Sequence, residues 1–110
     1  MTTQRYRTPD GMLELLVIHE DGDITVGFDG YTWHTHGDVL VGEYAFLGEV
    51  VGTPEQAVER FLYDLQSDDA TIVIYRKGGT IQDVSVSLSE AEDDDSIGPD
   101  ESRELRSWSK

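Results

Sequence analysis

The sequence predicts an α+β fold: an antiparallel β-meander sheet of about five or six strands, packed against one amphipathic helix and followed by an acidic C-terminal tail. Three observations predict it. Short β-prone segments are separated by dipeptides typical of tight hairpins. One central segment has apolar residues at helical spacing, and a run of acids follows the last strand. We expect residues 1–88 to form a single domain and residues 89–110 a flexible tail.

The first predicted hairpin lies in the N-terminal third of the chain. Residues 12–20 are apolar and β-prone, and Asp21-Gly22 is a two-residue turn signal. Residues 23–28 then alternate apolar and polar side chains, as a half-buried strand does. Asp29-Gly30 is a second turn signal, which leads into a strand over residues 31–36.

Two-residue turns fix the register of this meander. They predict that Val26 lies between Val17 and Trp33, and that Phe28 lies between Leu15 and Tyr31. One sheet face then collects the apolar side chains of all three strands. The other face is mixed, and it places His34 opposite Thr25 and His36 opposite Asp23. A further strand is predicted over Asp38–Tyr44, because Val39, Leu40 and Val41 are apolar in succession.

The predicted helix begins after Thr53. This residue suits the N-cap, Pro54 suits the first helical position, and Gln56 completes a Thr-x-x-Gln capping box. Helical spacing aligns a single apolar stripe, formed by Ala57, Val58, Phe61, Leu62 and Leu65. Three acids, Glu55, Glu59 and Asp64, are placed off this stripe.

A last hairpin is predicted around Gly78-Gly79. Residues 71–76 and 80–88 flank this turn, and Val84, Val86 and Leu88 alternate with polar residues.

Charge limits the possible functions. The 110 residues contain 23 acids and 8 bases, a formal net charge of −15, and 15 of the acids lie within residues 1–88. This charge disfavours nucleic acid and anionic membranes as partners, since both are negatively charged. The chain has no cysteine, so thiolate metal sites and disulfides are excluded. The first residues lack the apolar run of a signal peptide, and we expect a cytoplasmic protein without membrane contact.

His34 and His36 form the strongest catalytic candidate. Side chains at positions i and i+2 of a strand share a face, which a metal pair requires. The rest of the known His-x-His ligand motifs is missing, because Val39, Tyr44 and Leu47 occupy the positions of further ligands. Cross-strand pairing of the histidines with carboxylates is the favoured interpretation. We therefore expect no cofactor, no metal and no catalytic residue.

In size, charge and predicted layout, the chain resembles the immunity proteins that bacteria make against nuclease and other polymorphic toxins, and also acidic anti-restriction or DNA-mimic inhibitors. The resemblance implies an acidic module that binds and neutralises a basic protein, such as a toxin domain. Two surfaces are candidates, and their residues are Glu14, Glu20, Asp23, His34 and His36 on the sheet and Glu55, Glu59 and Asp64 on the helix. The alternatives are a small metal-dependent or acid–base enzyme using His34 and His36, or a structural protein. The sequence leaves the oligomeric state open.

Overall fold

The computed structural model describes residues 2–88 and 99–109 and has an α+β architecture with two antiparallel sheets and two helices. The strands are β1 (Thr2–Arg7), β2 (Glu14–Glu20), β3 (Asp23–Phe28), β4 (His34–His36), β5 (Thr71–Lys77), β6 (Thr80–Ser87) and β7 (Glu101–Arg106). The helices are α1 (Gly37–Phe46) and α2 (Pro54–Gln66). The strand orders are β1-β2-β3-β4 and β6-β5-β7. The α+β class is therefore confirmed, whereas the expectation of one sheet and one helix is not exact.

The β2–β3 hairpin has the predicted register. Glu20 pairs with Asp23, Val17 with Val26 and Leu15 with Phe28 across a two-residue turn. Asp21 and Gly22 both have positive φ, at 46° and 83°, as a type I′ turn requires. One face of this hairpin is buried in the core.

The predicted register between β3 and β4 is wrong by two residues. Thr35, rather than Trp33, lies opposite Val26, and His36 lies opposite Thr25. The cause is a connection longer than the expected two residues, since the strands pair again only from Gly27 and His34. A shift of two residues keeps each side chain on its expected face, because side-chain direction along a strand has a period of two.

Residues 38–44 form part of helix α1, and the predicted strand over Asp38–Tyr44 is wrong. Leu40 and Tyr44, four residues apart, are both buried against the core. This spacing is helical and outweighs the β-branched character of the neighbouring valines. A Cβ atom on Gly37 would lie 2.8 Å from Cβ of Pro54, so glycine allows α1 and α2 to begin side by side.

Helix α2 begins as predicted. The backbone N–H of Gln56 donates to Oγ1 of Thr53 at 3.1 Å, and Pro54 occupies the first turn. The Gln56 side chain accepts from the N–H of Gly52 at 3.0 Å, one residue before the N-cap. The stripe residues Ala57, Val58, Phe61 and Leu65 are buried, and Leu62 is partly buried.

The predicted β5–β6 hairpin is present, with Lys77 paired to Thr80 across Gly78-Gly79. Strand β7, by contrast, lies within the expected tail and pairs antiparallel with β5. Trp108 follows β7 and is buried in the same core cluster as both helices and both sheets. The segment 99–109 is thus packed against the fold, while the rest of the expected tail, residues 89–98 and Lys110, lies outside the described residues.

Candidate functional site

The sheet residues of the predicted binding surface share one face of the four-stranded sheet. On β2 and β3, the side chains of the opposite face, such as Leu15, Val17 and Val26, are buried under the helices. The face turned away from the helices is called the outer sheet face. It carries Glu14, Glu20, Asp23, His34 and His36, as the alternation along the strands predicts. None of these five residues is fully buried.

Glu14 is neutralised within this face. Its carboxylate oxygens lie 3.1 Å from Nη1 of Arg5 and 3.4 Å from Nη2 of Arg7, both on the neighbouring strand β1. The hydrogen bond from Arg5, followed by that from Arg7, lowers the pKa of Glu14 although partial burial opposes the shift. The outer sheet face therefore has a mixed charge at this end.

The two histidines lie together on β4, the edge strand opposite β1. Their ring centroids are 5.2 Å apart, edge to face. Nδ1 of His36 is 3.2 Å from Oδ2 of Asp23 and 3.3 Å from Oγ1 of Thr25, and Nδ1 of His34 is 3.1 Å from the carbonyl oxygen of Thr32. In residues 2–88 and 99–109, no group of three or more His, Asp or Glu side chains is arranged to hold a metal ion.

The acids of helix α2 separate into two kinds. Glu55 and Glu59 are exposed one turn apart, and neither has an ion pair within the part of the chain that the structure describes. Asp64, in contrast, is buried. The prediction that it lies off the apolar stripe is wrong, because it lies seven residues after Ala57 and so on the same helix face as the stripe.

Asp64 belongs to a network that joins the two helices. Oη of Tyr44 donates to Oδ2 of Asp64 at 2.8 Å, and Nε of Arg60 donates to Oδ1 of Asp64 at 3.0 Å. Arg60 also lies 2.6 Å from Oε2 of Glu49 and 5.6 Å from the centre of the Tyr44 ring. Burial, and then the hydrogen bond to Asp64, raises the pKa of Tyr44 well above its ordinary value. In this network Arg60 offsets the charge of Asp64. Arg60 is the one cation of α2, so no cation of this helix is left to pair with Glu55 or Glu59.

Sequence reasoning missed an apolar surface on α1 and the residues after it. Its side chains are Val39, Phe46, Leu47 and Val50, with exposed fractions of 46%, 91%, 43% and 95%. Val39 and Phe46 are seven residues apart, a spacing that places them on one side of a helix, opposite Leu40 and Tyr44. A strand over Asp38–Tyr44, as the sequence predicts, does not align Val39 with Phe46, so the helical spacing of these two residues was missed.

Charge is unevenly distributed over the elements. Residues 37–66, which contain both helices, have six carboxylates and one cation, Arg60. The three strands of the second sheet are different, with four cations (Arg76, Lys77, Arg103 and Arg106) and three acids (Asp83, Glu101 and Glu104). The helical layer, defined as residues 37–66, is therefore strongly acidic.

No protein-family model, curated protein or solved structure matches this chain. Neither described helix is long and apolar enough to cross a membrane.

Proposed function

We propose that this protein is an acidic binding module that captures and neutralises a basic protein, in the manner of an immunity protein or antitoxin acting on a toxin domain such as a nuclease effector. The observation that carries the proposal is the acidic helical layer. Arg60 is its one cation and is held by Glu49 and Asp64, whereas Glu55 and Glu59 point to solvent.

The helical layer suits this function better than the outer sheet face. On the sheet, Arg5 and Arg7 neutralise Glu14, and His36 contacts Asp23. The acids on these two surfaces also point to opposite sides of the four-stranded sheet, so one compact contact does not cover both. Exposed carboxylates on a rigid helix attract a basic partner over about one Debye length, about 8 Å at physiological ionic strength. Complementary charge speeds encounter and disfavours acidic competitors.

The experiment uses the product of the reading frame that neighbours the gene of this chain, because an inhibitor and its target are often encoded together. The two proteins are co-expressed to measure growth. They are also purified separately to measure binding. We expect a basic partner whose toxicity is relieved by this chain, with a complex that survives gel filtration. A neighbouring product that neither binds nor is inhibited would contradict the proposal.

A matched pair of variants locates the contact. Glu55→Gln/Glu59→Gln removes two charges from α2, and Glu20→Gln/Asp23→Asn removes two from the outer sheet face, so both variants have the same net charge. We expect the first to weaken binding about tenfold and the second less than about threefold. An equal loss in both would show that only the total charge matters. A larger loss in the second would assign the contact to the sheet side.

A further inference from the structure

An apolar groove lies between strand β6 and helix α1, which is part of the acidic helical layer. Its volume is about 520 Å³, within the range of about 300–1,000 Å³ that is usual for ligand pockets. The apolar lining residues are Val39, Phe46, Leu47, Val86 and Leu88, and Glu43 is the charged group in the lining. We propose that this groove anchors an apolar side chain from a basic amphipathic segment of a partner protein. The inference rests on the proposed function and names the contact surface.

The distribution of apolar residues on α1 supports a covered groove. Leu40 and Tyr44 bury one side of the helix in the core, yet Val39 and Phe46 are apolar on the other side. A helix partnered on one face only is expected to be polar on its outer face. Phe46 is 91% exposed, and burying such a side chain is worth about 1.5–3 kcal/mol. Large aromatic side chains at the centre of a contact surface are typical anchors of protein interfaces.

The negative charge at the groove favours a basic segment as its occupant. Glu43 lies in the groove wall without an ion pair among the residues that the structure describes. A second copy of this chain would bring another net charge of −15 to the same surface. Residues 89–98 of the chain itself contain five acids and no base, so their charge is also unfavourable beside Glu43. A segment with lysine or arginine beside an apolar anchor is complementary to both features of the groove.

The test uses three synthetic peptides and the full chain labelled with ¹⁵N. One peptide is an amphipathic helix of leucine and lysine, the second has the same composition in a scrambled order without an apolar face, and the third replaces lysine with glutamate. Amide chemical shifts are followed during titration. We expect saturable shifts at Val39, Glu43, Phe46 and Val86 with the first peptide, weak and dispersed shifts with the second, and none with the third.

Two exposed apolar residues provide the variant and its control. Phe46→Ala removes the most exposed wall of the groove, whereas Met12→Ala removes an apolar side chain, 58% exposed, that does not line it. Both substitutions are at the surface and are expected to leave the fold intact. We expect Phe46→Ala to weaken binding of the leucine–lysine peptide about tenfold and Met12→Ala to leave it unchanged.

Several outcomes would overturn the inference. They are shifts of the first peptide confined to the outer sheet face, equal affinity of wild type and Phe46→Ala, or a dimer of the free protein that Phe46→Ala dissolves. These outcomes are separate from failure of the proposed function. If the neighbouring gene product does not bind but the peptide occupies the groove, the proposed function fails and the groove assignment stands. If that product binds wild type and the Phe46→Ala variant equally well, the groove assignment fails and the proposed function stands.

Discussion

The phenol of Tyr44 on α1 donates a 2.8 Å hydrogen bond to the carboxylate of Asp64 on α2. This bond and the two bonds from Arg60 hold the carboxylate where the helices meet. The acids of the helical layer are thereby divided: Asp64 stabilises the packing of the helices, while Glu55 and Glu59 remain exposed to solvent.

Replacing Tyr44 with phenylalanine tests this division. The change removes one hydrogen bond to a mostly buried carboxylate, and we expect it to lower the free energy of unfolding by about 1–2 kcal/mol. Urea denaturation of the two proteins measures the difference. The control is Tyr63→Phe, since Tyr63 is 65% exposed and its change should cost less than about 0.5 kcal/mol. Equal midpoints for Tyr44→Phe and wild type would contradict the assigned role.

The N-cap of α2 is the second test. Thr53→Ala leaves the N–H of Gln56 without its acceptor and should cost about 1 kcal/mol of stability. Thr53→Ser keeps the hydroxyl oxygen and should restore most of this loss. If the alanine and serine variants unfold at the same urea concentration, the capping bond does not contribute as described.

The C-terminal segment is expected to be needed for stability. Trp108 is 7% exposed and lies in the core cluster, so Trp108→Ala should cost about 3 kcal/mol. Leu105→Ala, on β7 at a side chain that is 45% exposed, is the control and should cost less than about 1 kcal/mol. Equal stability of wild type and Trp108→Ala would show that the segment is dispensable, as expected of a tail.

Stability should fall in acid because of Asp10. The hydroxyl of Thr8, then Arg106, then the N–H of Met12 donate to its carboxylate and lower its pKa to about 2. The unfolded chain has the ordinary value of about 3.9. Because the folded pKa is the lower one, the stabilisation is full above about pH 4 and is lost as pH falls through about 2.

Two measurements check the Asp10 prediction. The melting temperatures of wild type and Asp10→Asn should differ at about pH 6, above both pKa values, and should converge as the pH falls through about 2. The carboxyl carbon of Asp10, followed by NMR, should titrate at about 2. A midpoint near that of a free aspartate would contradict the hydrogen bonds.

The features that could be predicted from sequence depend on neighbouring residues. The Asp21-Gly22 turn fixes the pairing of Val17 with Val26, and Thr53 with Pro54 marks the start of α2. These signals act within a few residues, and the structure confirms both.

The features that could not be predicted depend on distant contacts. Strand β1 is mostly polar and exposed, and its stability comes from pairing with β2. Strand β7 pairs with β5, although β6 and residues 88–100 lie between the two strands in the sequence. Helix α1 is fixed by burial of Leu40 and Tyr44, so the groove beside it could not be found while that segment was interpreted as a strand. Helical spacing predicts the exposure of Glu55 and Glu59 and also places Asp64 on the face of Ala57. The hydrogen bond from Tyr44 to Asp64 could not be predicted, because it comes from a segment for which the sequence predicts a strand.

The most direct test of capture by charge is the salt dependence of the association rate with the basic product of the neighbouring gene, measured by stopped flow. We expect the rate constant to fall at least about tenfold between about 20 and 300 mM salt, while the dissociation rate changes little. An association rate that is independent of salt, or no complex at any salt concentration, would contradict the central claim that the acidic helical layer captures a basic protein.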